Sequence, residues 1–272
     1  TFQPDYYNTI TILSVNGNSL YERTQEDAMI EDQNNYGRRK NKQHTIGINY
    51  RKIWNESSFS NSSISYSSQM GDGEFRDSFT KSVTSRAKNG MQSLSVRQVN
   101  QTKFSNKFNS EYGFEISSKE FQYDFLLNDL AASQDLSLVN TSVFSTFRYL
   151  LTSKLLISTG VRFESNDYEN DLLFSPRLNA KYNMNDGQSS IIYNIGRYYQ
   201  NPPEIYLSVE ENQSITSVQT VQHSLTYERL ISSSTKFTLA YYQKLYTNAP
   251  MLPGDNPYDE PLFLLDRLSM YS

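Results

Sequence analysis

The sequence has no cysteine. That excludes disulfide scaffolds and any metal or redox centre ligated by thiolates. Only two histidines, His44 and His223, and one tryptophan, Trp54, occur in 272 residues. A chain with so few bases offers little to nucleophilic catalysis, which pairs a hydroxyl or thiol with an adjacent base. We expect no enzymatic role. Long apolar runs are also missing. Those present, such as Leu155-Leu156-Ile157, fall far short of the ~20 residues of a transmembrane helix. A net charge of −4 leaves no concentrated basic face, so no nucleic-acid partner is expected. The chain begins at Thr1 with neither an initiator Met nor a signal peptide. Processing or truncation is expected to have removed its start.

What is abundant is tyrosine and phenylalanine. Aromatics reach 14%, with 21 Tyr and 15 Phe, although hydrophobic residues make up only 37%. A disordered chain is poor in aromatics. A polar chain loaded with tyrosine suits a membrane barrel with a polar lumen and aromatic rims. A tyrosine-rich soluble binding module is the competing reading.

Period-2 alternation runs through most of the chain, as strands with two unlike faces require. In Phe108–Ile116, Phe108, Tyr112, Phe114 and Ile116 share one face, interrupted only by Ser110. Asn109, Glu111, Gly113 and Glu115 share the other. Strands are predicted at 8–15, 43–54, 59–69, 91–99, 104–117, 138–151, 154–164, 172–183, 189–198, 218–231 and 235–246, with a further one near Leu262. Most match or modestly exceed the ~9–11 residues of a tilted membrane strand. The connections alternate short and long. Asn55–Ser58 and Asn100–Lys103 are short, whereas Asn16–Lys42, Met70–Gly90 and Ser118–Ser137 are long. Short periplasmic turns and longer extracellular loops are the habit of up-and-down membrane barrels. The predicted fold is therefore all-β: an antiparallel up-and-down transmembrane β-barrel with about 11–12 strands present.

Charge partition agrees. Arg51, Arg97, Arg148, Arg162, Arg177 and Lys181 all fall on the polar face. A cation on the lipid face at mid-depth would cost about 2–4 kcal/mol. Arg229 and His223 instead share a face with Leu225 and Tyr227, which places them near a rim or marks a slipped register.

From Lys154 to Pro250 the sequence resembles the barrel of TonB-dependent receptors. The matching pieces are Gly160-Val161-Arg162-Phe163-Glu164, Ser175-Pro176-Arg177-Leu178 and Gly196-Arg197-Tyr198-Tyr199-Gln200-Asn201-Pro202-Pro203. They continue with His223-Ser224-Leu225-Thr226-Tyr227-Glu228 and Ala240-Tyr241-Tyr242-Gln243-Lys244. The resemblance implies a bacterial outer-membrane receptor that takes up a scarce ligand (iron chelate, cobalamin or oligosaccharide). Its implied partners are a plug domain, a TonB-type energy-coupling protein, outer-membrane lipid and lipopolysaccharide. The family barrel has about 22 strands around its plug. Residues 1–272 are thus expected to be a single partial barrel domain, without plug, from a longer chain. A complete small barrel acting as a channel remains an alternative.

Site expectations follow. Aromatic residues in the long loops, Tyr21, Tyr36, Phe121, Tyr123, Tyr206 and Tyr258, are candidate stacking contacts for ligand. Glu115, Arg148, Arg162, Glu164, Arg177 and Lys181 are candidate lumen-facing charges that would meet the plug. Asp72, Glu74 and Asp77, like Asp255, Asp259 and Glu260, are taken as solvated loop carboxylates without the spacing of a calcium loop. Arg38-Arg39-Lys40 is taken as a basic loop end that anionic lipopolysaccharide would meet. No cofactor or metal is expected.

Overall fold

The computed structural model describes residues 1–127, 130–169, 171–184, 187–207, 212, 215–251 and 269–271. Twelve strands form one sheet in sequence order, each antiparallel to the next. A short edge strand, β1 (Phe2–Asp5), leads into β2 (Asn8–Arg23) and the short helix α1 (Gln25–Ile30). Five long strands follow: β3 (Asn35–Asn55), β4 (Ser58–Asp77), β5 (Val83–Lys103), β6 (Phe108–Leu127) and β7 (Leu130–Leu150). Then come β8 (Leu155–Asn166), β9 (Leu173–Asn183), β10 (Ser189–Gln200), β11 (Val218–Leu230) and β12 (Lys236–Thr247). A separate two-stranded pairing joins β13 (Ala249–Met251) to β14 (Ser269–Tyr271). The strand expected near Leu262 lies outside the described residues.

The faces separate as the alternation predicts. Residues directly opposite in a ladder point the same way, so the register can be followed from strand to strand. Glu115 faces Arg97 and Ser142, which faces Glu164. Arg162, on the same face, has Glu164 within 2.9 Å and Ser175 opposite. The other face carries Ile48, Ile64, Val96 and Ile116 in one row. Such apolar side chains are exposed, Ile116 at 43% and Ile64 at 46%, as lipid-facing residues must be. Arg229 and His223 do lie on this apolar face, opposite Ser189 and Ile195. The register there is unbroken. His223 shares a hydrogen bond with the Tyr193 hydroxyl, and Arg229 stands beside the β11–β12 turn.

The structure corrects the expected loops. Asn16–Lys42, Met70–Gly90 and Ser118–Ser137 are mostly strand, not loop: the hairpins β2–β3, β4–β5 and β6–β7 simply continue. β3, β5 and β7 have 21 residues each, against 12 for β8 and 11 for β9. At about 3.4 Å per residue the longer strands reach roughly twice the length a bilayer needs. The asymmetry between the two ends is real, but strand length carries it. The first two segments look like loops because their alternation is polar with polar, or charge with small residue; in the third, Phe121, Tyr123 and Phe125 do alternate with Gln122 and Asp124. Hydrophobicity does not reveal the first two; pairing does.

The same correction reassigns the charged motifs. Arg38 and Lys40 sit on β3, and Asp72 and Glu74 on β4. Glu22, Arg38, Glu74 and Arg86 are successive cross-strand partners, as are Lys40, Asp72, Lys88 and Asp124. Opposite charges directly across a ladder are worth about 0.2–1 kcal/mol each. Glu74 is the best engaged, with Arg86 Nη2 at 2.6 Å and Arg76 Nη2 at 2.7 Å. Its bonds to Arg86 and then Arg76 hold the carboxyl below the usual range. Asp77 closes the β4–β5 turn by accepting from the Phe79 and Thr80 amides. Arg38, Lys40, Asp72 and Glu74 are therefore parts of one alternating zipper, while Arg39 faces the other side of the sheet.

Candidate functional site

The polar face of the extended hairpins is organised in rows. Ser19, Asn41, Gly71, Asn89 and Tyr123 are successive partners across β2–β6. The adjacent row, two residues nearer the membrane span, holds Gly17, Gln43, Gln69, Met91 and Phe121. Together they line a cleft of about 580 Å³. That size falls in the range of about 300–1,000 Å³ usual for small-molecule sites. Gly71 matters here: a Cβ on it would stand 2.1 Å from Asn89 Oδ1 and 3.2 Å from Asn41 Oδ1. Its lack of a side chain lets the two flanking amides close over the strand between them. Asn41 also donates to the Ser19 hydroxyl.

The connection from β10 to β11 borders this cleft through Glu204. Its helical turn, α2 (Glu204–Leu207), brings Leu207 onto Phe121. Phe121, Leu138, Leu207 and Ile215 form a small apolar core, each 2–3% exposed, with Met91, Tyr123, Leu136, Tyr168 and Tyr206 packed around it. Fully burying one such side chain contributes about 1.5–3 kcal/mol, which suffices to seat the loop. Glu204 ion-pairs with Lys119 of β6 at 3.2 Å. The Phe121 and Tyr123 rings stack with centroids 6.2 Å apart and planes 5° apart. Burial, and then the charge of Glu204, push the Tyr123 hydroxyl above its ordinary value.

A polar knot fixes the other end of the loop. Asn201 donates to Asn140 of β7 and accepts from Asn166 of β8. Glu169 is 8% exposed and accepts from the Ser217 amide at 3.2 Å and its hydroxyl at 2.6 Å. The Tyr168 hydroxyl lies 2.9 Å from the same Ser217 hydroxyl, and burial pushes its pKa up to about 12. The knot is thus built around a neutral phenol and a carboxylate that accepts two bonds.

The expected ligand contacts divide. Phe121 and Tyr123 line the cleft and Tyr206 packs on the apolar core beside it, but Phe121 and Tyr123 stand on β6 rather than in a loop. Phe121 is covered; Tyr123 is the half-exposed ring. Tyr21 belongs to β2 and faces Arg39 one row nearer the hairpin tip, its ring 6.2 Å from Phe75 and beneath Arg23. Tyr36 belongs to β3, opposite Arg76 on the face away from the cleft. Those four residues were expected in loops because the polar segments around them hid their strand pairing. Tyr258, Asp255, Asp259 and Glu260 lie outside the described residues.

Glu115, Arg148, Arg162, Glu164, Arg177 and Lys181 all share the polar face by register. Glu115 lies 3.8 Å from Arg97. Arg177 lies over the Tyr198 ring at 4.5 Å. Arg97 and Arg162 flank the Phe144 ring at 5.8 and 5.9 Å. Sequence reasoning missed the amides Asn41, Gln43, Gln69 and Asn89 and the loop anchors Lys119, Glu169 and Glu204. Asn41 and Gln43 carried a faint signal, two amides spaced two residues apart. The pairing that unites the four spans three strands.

Comparison with known proteins places this geometry. The family model described as "TonB dependent receptor-like, beta-barrel" matches residues 1–266. No curated protein matches. Among solved structures, the copper transporter OprC superposes with a TM-score of 0.73 at 11% identity, over 92% of this chain and 44% of that one. The FpvAI–pyocin S2 complex gives 0.73 at 10% identity, over 94% and 43%. The outer-membrane transporter YddB from Escherichia coli gives 0.66 at 9% identity, over 92% and 40%. This chain spans less than half the length of each of these three structures.

Proposed function

The chain belongs to the TonB-dependent receptor β-barrel family of outer-membrane proteins, and from that premise we propose that it forms part of the barrel of an uptake receptor. In this reading residues 1–272 are one barrel unit, completed by further strands and a plug. The ligand is scarce outside the cell: an iron chelate, cobalamin or an oligosaccharide. A TonB-type protein in the inner membrane supplies the energy. The reading assigns no reaction to the chain, only binding and passage.

One observation supports the role above the others. The three long hairpins rise past the membrane span and, with the 201–217 loop, enclose a cleft on the polar face of the sheet. That is where a ligand arriving from outside would first be held. Glu115, Arg148, Arg162, Glu164, Arg177 and Lys181 lie on the same face, within the span or at its ends. There they would pair with plug side chains. Lipid would cover the apolar face, and lipopolysaccharide would meet the charge zipper just above it.

The test is uptake by intact cells. A strain lacking this protein should lose energy-dependent accumulation of one ligand class: ferric chelate, cobalamin or oligosaccharide. An uncoupler of the inner-membrane proton gradient should mimic the loss in wild type. Accumulation unchanged for all three classes would end the proposal.

A further inference from the structure

The cleft wall has an unusual composition for a chain that is 20% charged. No residue in either of its two rows across β2–β6 carries a charge. Four of them are amides, Asn41, Gln43, Gln69 and Asn89, spread over three adjacent strands. The half-exposed Tyr123 ring ends one row. Three charged residues complete the lining, Arg39, Lys42 and Glu204. Glu204 is paired with Lys119, Lys42 belongs by register to the opposite face, and Arg39, one row nearer the tip, is the one cation of the lining on this face.

Each class of ligand asks for different chemistry. An anionic chelate is held by several Arg or Lys side chains making charge-assisted bonds. A bare metal ion needs a cluster of His, Cys or carboxylate ligands. Among the described residues no group of three or more such side chains comes together. Amides offer a donor and an acceptor side by side. A pair of neighbouring hydroxyls on a sugar ring presents the same two roles. An aromatic face at the edge suits the apolar C–H face of that ring, since rings with a polar tip combine apolar area and hydrogen bonding. Gly17 leaves room for the ligand to approach the backbone, and Gly71 lets the Asn41 and Asn89 amides close into one continuous shelf.

We infer that this amide shelf binds a neutral, hydroxyl-rich ligand, an oligosaccharide, with Tyr123 as its stacking surface. The inference rests on the reading of the chain as an uptake receptor and narrows that reading to one ligand class. Tyr123 is held at its angle by stacking on Phe121, which Leu207 and Ile215 bury.

The native protein, extracted in detergent, is applied to an array of neutral oligosaccharides, with acidic oligosaccharides and ferric citrate as comparison probes. Neutral oligosaccharides should be retained, and high salt should not release them. Tyr123→Ala and the double variant Asn41→Ala/Asn89→Ala should each weaken retention at least about tenfold. Tyr123→Phe keeps the ring and should retain binding. Unchanged heat-dependent gel mobility shows that each variant is folded. Binding by both disruptive variants equal to wild type overturns the site. Retention of acidic glycans or ferric citrate alone overturns the ligand class while leaving the receptor reading intact. Cells that accumulate none of the probes overturn the receptor reading itself.

Discussion

Lys119 of β6 and Glu204 of α2 are 85 residues apart in sequence and 3.2 Å apart in space. The pair ties the longest loop of the described chain to the extended hairpin that it covers. Both side chains are about one-third exposed, 34% and 32%. Their attraction is therefore screened, and its contribution is about 1 kcal/mol or less.

Glu204→Gln should leave thermal stability nearly unchanged but raise hydrogen exchange in residues 201–207. The apolar anchor at Leu207 and Ile215 remains, so only local opening is affected. A loss of global stability above about 2 kcal/mol would show that the pair does more than tether the loop.

Glu169→Ala should release the other end of the same loop. The variant leaves the Ser217 amide buried without its carboxylate acceptor, a cost of about 1–3 kcal/mol. Exchange across residues 215–217 should rise. The Asn201 contacts to Asn140 and Asn166 predict that the loop start stays protected.

Tyr168 predicts alkaline sensitivity. Its folded pKa is raised to about 12 from 10.0 by burial. The unfolded phenol ionises first, so the loop's stability is full below pH 10 and falls as pH rises towards 12. NMR of ring-labelled tyrosine should show a ring titrating near 12, apart from the raised Tyr123, that disappears in Tyr168→Phe. A Tyr168 ring titrating at the ordinary value would contradict the buried knot.

Glu74 predicts acid sensitivity at the hairpin tips. Its carboxyl is held below the ordinary 4.5 by bonds from Arg86 and Arg76. Its contribution is present above that value and lost as pH falls through the lowered one. Hydrogen exchange at residues 72–77 and 83–88 should rise in acid, and Glu74→Gln should show that rise already at neutral pH. Protection equal to wild type in Glu74→Gln would rule the zipper out as a lock.

Gly113 tests the packing of the membrane-spanning wall. A Cβ there would stand 2.0 Å from the Gln98 carbonyl oxygen and 3.0 Å from Phe144 Cζ. The Phe144 ring lies across the glycine it pairs with. Gly113→Val should cost about 2 kcal/mol or more, read as a lower temperature for the gel-mobility shift.

The twelve-stranded sheet was largely legible in the sequence. A strand half in lipid must alternate apolar with polar, and Phe108–Ile116 or Leu155–Glu164 writes that alternation directly. The face of every wall charge from Glu115 to Lys181 followed from the same parity. Even His223 and Arg229 were placed correctly by counting in twos. Where both faces are polar, the count had nothing to register. Arg38, Lys40, Asp72 and Glu74 looked like solvated loop charge, and Tyr21, Phe121 and Tyr123 looked like loop aromatics. Only pairing with the neighbouring strand turned them into rows.

By itself, then, the sequence determined that this chain spans a membrane in strands and which side chains face lipid. That information is local, carried by residues two apart. The tertiary structure decided the rest: how far the hairpins project, which amides share a row, and that Leu207 and Ile215 cluster with Phe121. Those facts depend on register between strands tens of residues apart, where many small cross-strand terms add up and no single residue type signals the outcome.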